Sequence, residues 1–386
     1  MKNKFNYKQN CLYFKSDRPC IFHKQDYKVI CDDSCKFYTP INKKILIIKL
    51  GALGDVVRTT SILKPLHKRY KNSKFFWVTY DEAVEVFNNN PYVTEVIPYS
   101  QVFTYFGNDF DILINLDLEQ KSLELTKKFK CGSKYGFYIE EDKIVCSNLA
   151  AKEWFDISHN DMLKKKNKKT YQQYMLEILG FKNLKPKDYP IIIKLSKEEK
   201  QFAAEFLKNN NIDKESNMNL VGINLGGGEK WKKKEYPIEQ TVKLIKFLVN
   251  KNLKNNTKIL LFGGKREINR NAQIMKLLCE DFLDRKVIDT GCNNTLRQFF
   301  SLIDLCDLLI TTDTLALHVA LGLNKKVICL FGPTSFNEIE MYGLGEKIVS
   351  PKKCRVCYKK VCKETPDCMY MISPTKIFNV VAKLLG

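Results

Sequence analysis

Two stretches far apart in the chain carry the residue types needed for chemistry on a charged ligand. Ile45-Leu46-Ile47-Ile48-Lys49-Leu50 runs into Gly51-Ala52-Leu53-Gly54-Asp55-Val56, and Leu308-Leu309-Ile310-Thr311-Thr312-Asp313 runs into Thr314-Leu315-Ala316-Leu317-His318. Each reads as a buried strand, a tight turn and a helix with a carboxylate at its N-terminus. Parallel α/β sheets bind ligands at the carboxyl ends of their strands, so both turns are candidate site loops. Two such loops in separate halves imply a cleft between two domains. A third loop, Gly226-Gly227-Gly228 followed by lysines from Lys230 to Lys234, also ends a strand and reads as an anion site.

Several of these residues also have a purely structural reading. Asp55 can serve as a first-turn carboxylate that meets the helix dipole. Asp313 and Thr314 keep a functional reading, since they open a helix whose free backbone N–H groups attract anions. Glu267, after Gly263-Gly264, reads as first-turn helix stabilisation, and a lone histidine such as His318 is more often structural than functional.

Fourteen cysteines add a second kind of chemistry, because eight of them fall in two groups. Cys354-x2-Cys357-x4-Cys362-x5-Cys368 is compact and flanked by lysine and arginine, which favour thiolates. Such spacing suits one tetrahedral zinc or an iron centre, held structurally. Cys11, Cys20, Cys31 and Cys35 form a looser second group, with His23 as an alternative ligand. Grouped cysteines in a cytosolic α/β enzyme point to metal rather than disulfides.

The elements that must position these residues alternate. Strands at 45–50, 75–79, 94–98 and 111–116 are interleaved with helices at 55–70 and 82–88, as in a parallel sheet covered on both faces. Residues 131–169 read as irregular and hold Trp154, His159 and a lysine-rich run from Lys164 to Lys169. A helix over 170–179 ends at Gly180, and the Pro186-to-Pro190 segment is the expected boundary. Alternation then resumes through the strands 220–224, 258–262, 287–289, 308–311 and 327–331. A terminal helix starts at Ser373-Pro374. The expected division is a cysteine-containing leader over 1–42, an N-terminal domain over 43–188, a C-terminal domain over 189–372 and a final helix over 373–386. The fold class is α/β, with two Rossmann-like doubly wound domains.

A formal net charge of +21 suits polyanionic or membrane partners. The lysines, however, are spread among many asparagines, and no zinc-finger spacing accompanies them, so a specific nucleic-acid binder is disfavoured. No Gly-x-Gly-x-x-Gly follows a strand with an acid about twenty residues on, which argues against an NAD-dependent oxidoreductase. The polar N-terminus lacks the apolar core of a secretory signal, and no apolar run reaches membrane-spanning length, so a cytoplasmic protein is expected.

The ordered set of motifs resembles glycosyltransferase family nine, the ADP-heptose heptosyltransferases, over roughly residues 43–386. Gly51-x-x-Gly54-Asp55, Lys234-Glu235-Tyr236-Pro237, Gly263-Gly264-x-x-Glu267, Asp289-Thr290-Gly291, Asp313 to His318 and Phe331-Gly332-Pro333-Thr334 fall in the family's order. The resemblance implies the GT-B architecture and an inverting transfer of a heptose or related sugar from an ADP-sugar donor. The acceptor would be a hydroxyl of a glycolipid or a protein. Another nucleotide-sugar donor on the same fold is the alternative. Asp55 occupies the family's catalytic-base position. Lys234 aligns with its phosphate-contacting lysine, Glu267 with an acid on the nucleoside ribose, and His318 with a donor contact. Gly51, Gly54, Gly226, Gly227, Asp313 and Thr314 complete the implied substrate site. Leu315 departs from the family, which has glycine there. No metal or other cofactor is implied for the chemistry itself. Related protein-modifying heptosyltransferases hold iron with cysteines, so iron joins zinc as the expected ion at Cys354, Cys357, Cys362 and Cys368. The basic run suggests contact with an anionic membrane at its inner face, or with an acidic glycolipid.

Overall fold

The computed structural model describes residues 7–213, 218–227, 232–250 and 256–386. Gly228, Lys230 and Trp231, part of the expected anion loop, lie outside the described residues. The chain divides into two compact units. The first takes the chain up to Leu50 together with Ile62–Asp81 and Pro91–Asn148; the second takes Gly51–Ser61, Glu82–Asn90 and Leu149–Gly386. The Pro186-to-Pro190 segment thus falls inside the second unit.

The first unit is built on the strands β1 (Lys44–Ile48), β2 (Lys74–Thr79), β3 (Glu95–Pro98), β4 (Asp109–Asn115), β5 (Lys130–Glu140) and β6 (Lys143–Cys146). They form a sheet in the order β3-β2-β1-β4-β5-β6. The β1 to β5 pairings are parallel, and β6 returns antiparallel to β5. Ile45 to Ile48 are fully buried, as expected for a central strand covered on both faces. Leu46, Ile48, Val78, Ile97, Phe110, Leu113 and Phe129 form the core of one face.

The second unit contains β7 (Met218–Asn224), β8 (Asn256–Leu261), β9 (Val287–Asp289), β10 (Leu308–Thr312), β11 (Lys326–Phe331) and β12 (Gly345–Val349). These strands pair in parallel in the order β12-β11-β10-β7-β8-β9. In both sheets the order runs outward in two directions from a central pair, the doubly wound pattern whose switch point lies at the carboxyl ends of the middle strands. Helices are fixed by local chemistry. Ser196 and Glu199 cap the Lys197–Asn209 helix reciprocally, and Thr295 with Gln298 does the same for Leu296–Asp304. Pro374 opens the last helix, Pro374–Leu385, although the Ser373 side chain makes no capping bond.

Several elements differ from the sequence expectation. The helix expected over 55–70 is broken into Leu53–Thr59, a 3-10 turn at Thr60–Ile62, and Leu63–Arg69. Pro65 has no N–H to continue the ladder across that break. The helix expected at 82–88 is a 3-10 helix, Asp81–Phe87. Residues 131–169 are regular rather than irregular: the β5–β6 hairpin leads into the helices Leu149–His159 and Asp161–Lys166. The leader holds a short helix, Ile21–Gln25, and an isolated bridge between Cys11 and Pro40.

Candidate active site

Within the second unit, two helix N-termini meet. A Cβ added to Gly54 would lie 3.1 Å from His318 Cδ2 and 3.6 Å from the Leu315 Cα. Gly54 thus lets the start of the Leu53–Thr59 helix approach the start of Leu315–Gly322. The latter is apolar all round, with every residue from Ala316 to Leu321 buried. It is fixed by its surroundings rather than by an amphipathic face. Gly51 precedes this contact in the turn, joined to Ala52 by a cis peptide.

Asp55 lies in the first turn of its helix, and its Oδ1 accepts from Arg58 Nη2 at 2.8 Å, one turn later. Arg58 is buried with its guanidinium 3.7 Å from the centre of the Tyr171 ring, a cation–π geometry. Tyr171 OH and Thr59 Oγ1 are 2.7 Å apart. Burial works against the Arg58 charge, yet Asp55, Tyr171, Glu338 and Asp313 together raise its pKa.

Asp313 ends β10. Lys234 Nζ donates to both its Oδ2 and its backbone O, each at 2.9 Å. Burial opposes the charged carboxylate of Asp313, but Lys234, His318 and Arg58 outweigh it and hold the pKa at about 2. His318 is 4% exposed, and its Nδ1 has no hydrogen-bond partner. Burial first, and then Arg58, push the imidazole down to about 4, with Asp313 and Asp55 pulling the other way. Arg58, Asp313, Asp55 and Lys234 therefore all act electrostatically on His318.

The loop carrying Lys234 is anchored from behind. Tyr236 is fully buried, its N–H donating to Leu225 O and its OH to Ile372 O. Arg270 donates to Tyr236 O, Thr241 Oγ1 and Glu235 Oε1. Gly226 O accepts from Thr312 Oγ1 at 2.8 Å, which ties the glycine loop to the end of β10. Gly226 and Gly227 are both buried. A Cβ on Gly226 would meet Glu267 Oε1 at 2.6 Å, so the Glu267 carboxylate lies directly against the loop. Its Oε2 accepts from Gly264 N–H at 2.9 Å, the first-turn contact expected of a structural carboxylate. The Thr314 hydroxyl turns back toward Thr312 O and Thr311 and makes no capping bond. The first N–H groups of the Leu315–Gly322 helix thus have no side-chain cap, the arrangement that receives an anion.

Arg58, Tyr171, Glu338 and Tyr358 also belong to this cluster, and sequence reasoning missed them. Only Arg58 left a signal, its i+3 spacing from Asp55 on a helix. Tyr358 OH donates to Glu338 Oε1 at 3.1 Å. Burial raises the Glu338 carboxyl above the usual range, against the pull of Arg58.

Cys354, Cys357, Cys362 and Cys368 line one cavity of about 270 Å³, with Pro333 and Asp367. All four are free thiols. Burial, Asp367 and then the other three sulfurs push the Cys368 thiol up to about 12. As a donor set they suit a thiophilic ion. Among the described residues, no three His, Cys, Asp or Glu side chains are drawn together closely enough to hold one. In the leader, Cys20, Cys31 and His23 line a second cavity, of about 540 Å³. His23 Nδ1 is 2.8 Å from Val29 O. Cys11 is buried at its bridge to Pro40, and Cys35 closes a turn with Asp32.

The lysine-rich run is partly engaged with the protein itself. Lys164 sits over the Tyr358 ring and pairs with Asp161, and Lys169 pairs with Glu153 and Glu177. Among the described residues, no helix is long and apolar enough to cross a membrane.

Comparison with known proteins gives a consistent result. The family model for glycosyltransferase family 9 (heptosyltransferase) matches residues 105–367. Lipooligosaccharide heptosyltransferase 2 of Campylobacter jejuni subsp. jejuni serotype O:6 is 24% identical over 355 residues, covering 88% of this chain and 99% of that protein. The structure of E. coli ADP-heptose LPS heptosyltransferase II aligns with a TM-score of 0.63 at 17% identity, over 89% of this chain and 98% of that one. The dodecameric iron-containing heptosyltransferase TibC, in complex with ADP-D-β-D-heptose, aligns with a TM-score of 0.53 at 9% identity, over 89% of this chain and 76% of that one.

Proposed function

The chain belongs to glycosyltransferase family 9, the heptosyltransferase family, and from that premise we propose an inverting transfer in which Asp55 is the base. The donor is an ADP-heptose and the acceptor a hydroxyl of a lipopolysaccharide or lipooligosaccharide core. Support for these two substrates comes from the relatives, which are named for that sugar and those acceptors. In this reading Asp55 takes the proton of the acceptor hydroxyl as its oxygen bonds to the anomeric carbon. The bond from that carbon to the diphosphate oxygen breaks on the opposite side, and ADP leaves with the electron pair. A positioned general base typically contributes on the order of a hundred- to ten-thousand-fold.

Charge on the departing ADP is met by Lys234 and by the uncapped N-terminus of the Leu315–Gly322 helix. Asp313 serves to hold Lys234 in place, and neutral His318 offers its unpartnered Nδ1. Glu267, Gly226 and Gly227 form the wall on the nucleoside side, and Gly51 and Gly54 shape the acceptor-side turn. Functionally, residues 43–188 would supply acceptor contacts and residues 189–372 the donor site, with the leader at 1–42 and the final helix at 373–386. The observation that carries this reading is that Gly54 brings the helix start bearing the Asp55–Arg58 pair against His318, on the helix that follows the Lys234–Asp313 pair.

A structural zinc or iron at Cys354, Cys357, Cys362 and Cys368 forms part of the proposal, because four sulfurs surround one cavity beside Pro333. Four thiolates would saturate a tetrahedral ion and tie down a segment with little regular structure. A cytoplasmic location with contact at the inner face of the membrane follows from the acceptor class and the basic charge. The test is to incubate the protein with ADP-heptose, ADP-glucose and UDP-glucose, each with and without a heptose-deficient core acceptor. Acceptor-dependent release of ADP from ADP-heptose is expected. Release from a UDP-sugar alone would contradict the donor assignment.

A further inference from the structure

The segment carrying the C-terminal cysteines also reaches the candidate active site. Its backbone is fastened to the turn after β11: Val356 N–H donates to Gly332 O at 2.9 Å, and Tyr358 N–H donates to Pro333 O at 3.0 Å. Val356 and Tyr358 have φ of 60° and 51°, a conformation that side chains rarely adopt unless their surroundings hold them there. Between these two fastenings the chain turns the Tyr358 ring toward the site. The hydroxyl accepts from Ser335 N–H at 3.0 Å and donates to Glu338 Oε1 at 3.1 Å.

Glu338 touches the Arg58 environment twice. Its backbone O accepts from Tyr171 N–H at 2.9 Å, and Tyr171 is the ring on which Arg58 lies. Its carboxylate is within electrostatic reach of the Arg58 guanidinium, whose direct partner is Asp55. The Glu338 backbone thus holds the ring on which Arg58 lies, which places a second carboxylate-bearing residue beside the arginine that Asp55 engages. The Tyr358 hydrogen bond restrains that second carboxylate.

We propose that Tyr358 and Glu338 are positioning residues for the transfer reaction. Tyr358, delivered by the cysteine segment, fixes the Glu338 carboxylate so that Arg58 stays on Asp55 and holds it in the orientation that receives the acceptor proton. Without the Tyr358 hydroxyl, Glu338 turns onto Arg58 and draws the guanidinium away from Asp55. The inference rests on the reading of Asp55 as the base. It also gives the cysteine segment a part in catalysis without placing any thiol in the chemistry.

The test compares Tyr358→Phe, Glu338→Gln, the double variant and Asp55→Asn, with kcat, donor KM and ADP affinity measured for each. Tyr358→Phe is expected to lower kcat by roughly ten-fold while donor KM and ADP affinity stay within about two-fold. Added to Glu338→Gln, the same change should lower kcat no further, because the effect of the Tyr358 hydroxyl on turnover passes through the Glu338 charge. If Tyr358→Phe loses ADP binding or thermal stability together with kcat, the residue is merely structural and the proposal is overturned. Additive effects in the double variant, or an unchanged kcat in Tyr358→Phe beside an inactive Asp55→Asn, also overturn it while leaving the base reading standing. An active Asp55→Asn removes the base reading and the inference with it.

Discussion

His318 joins burial, charge and hydrogen bonding in one side chain. Its pKa of about 4 leaves the imidazole neutral at neutral pH, able to face an anion without competing with Lys234 for it. An unfolded histidine titrates near 6.5, so between about pH 6.5 and 4 the unfolded chain binds the extra proton and the folded chain does not. Stability therefore falls as pH falls through that window, by about 1.4 kcal/mol per pH unit from this group. Asp313 does not mask the effect. Its carboxylate is depressed to about 2, so its contribution is present above 3.8 and fades only toward pH 2. We expect His318→Gln to show a flatter melting temperature between pH 6.5 and 4.5 than the parent. Parallel profiles would mean that the imidazole is not held neutral.

At the scale of elements, the contact between the Leu53–Thr59 and Leu315–Gly322 helices depends on Gly54. A methyl group there meets His318 at 3.1 Å and backbone at 3.6 Å, and the buried His318 ring has little room to give. Gly54→Ala should cost about 1–3 kcal/mol by overpacking and lower activity as well, both measurable in one preparation. Unchanged melting and turnover would show that the two helices can separate freely.

The strands leading to these turns were legible in the sequence because central parallel strands are unbroken apolar runs, as in Ile45 to Ile48 and Leu308 to Ile310. The β5–β6 hairpin was not. Its two-residue turn, Glu141-Asp142, has φ of 48° and 58°, a geometry usually announced by Asn-Gly or Asp-Gly. Asp55, Asp313 and His318 stood out through their place after such strands. Glu338 and Tyr358 did not, since their meaning lies in contacts with Tyr171 and with each other across the fold.

The cysteine segment is the element whose proposed metal can be removed. Cys357→Ser is expected to lower both bound zinc or iron, by elemental analysis, and thermal stability. A metal-free parent protein whose four thiols titrate freely would contradict the assignment, as would a disulfide between them.

For the whole molecule, a net charge of +21 makes long-range attraction to anionic surfaces a physical expectation, even with Lys164 and Lys169 partly engaged. The protein should co-sediment with phosphatidylglycerol vesicles at low ionic strength and detach as salt shortens the Debye length to about 3 Å near 1 M. Equal binding to phosphatidylcholine vesicles would remove the electrostatic explanation. Transfer by the whole molecule depends on one carboxylate, that of Asp55. The most direct measurement is single-turnover transfer from ADP-heptose to a heptose-deficient core by Asp55→Asn, with ADP affinity measured by calorimetry on the same sample. Donor binding near that of the parent is expected, with a transfer rate lower by on the order of a hundred-fold or more. A variant that binds ADP and transfers at the parent rate would make Asp55 a helix-end partner of Arg58 and not the base.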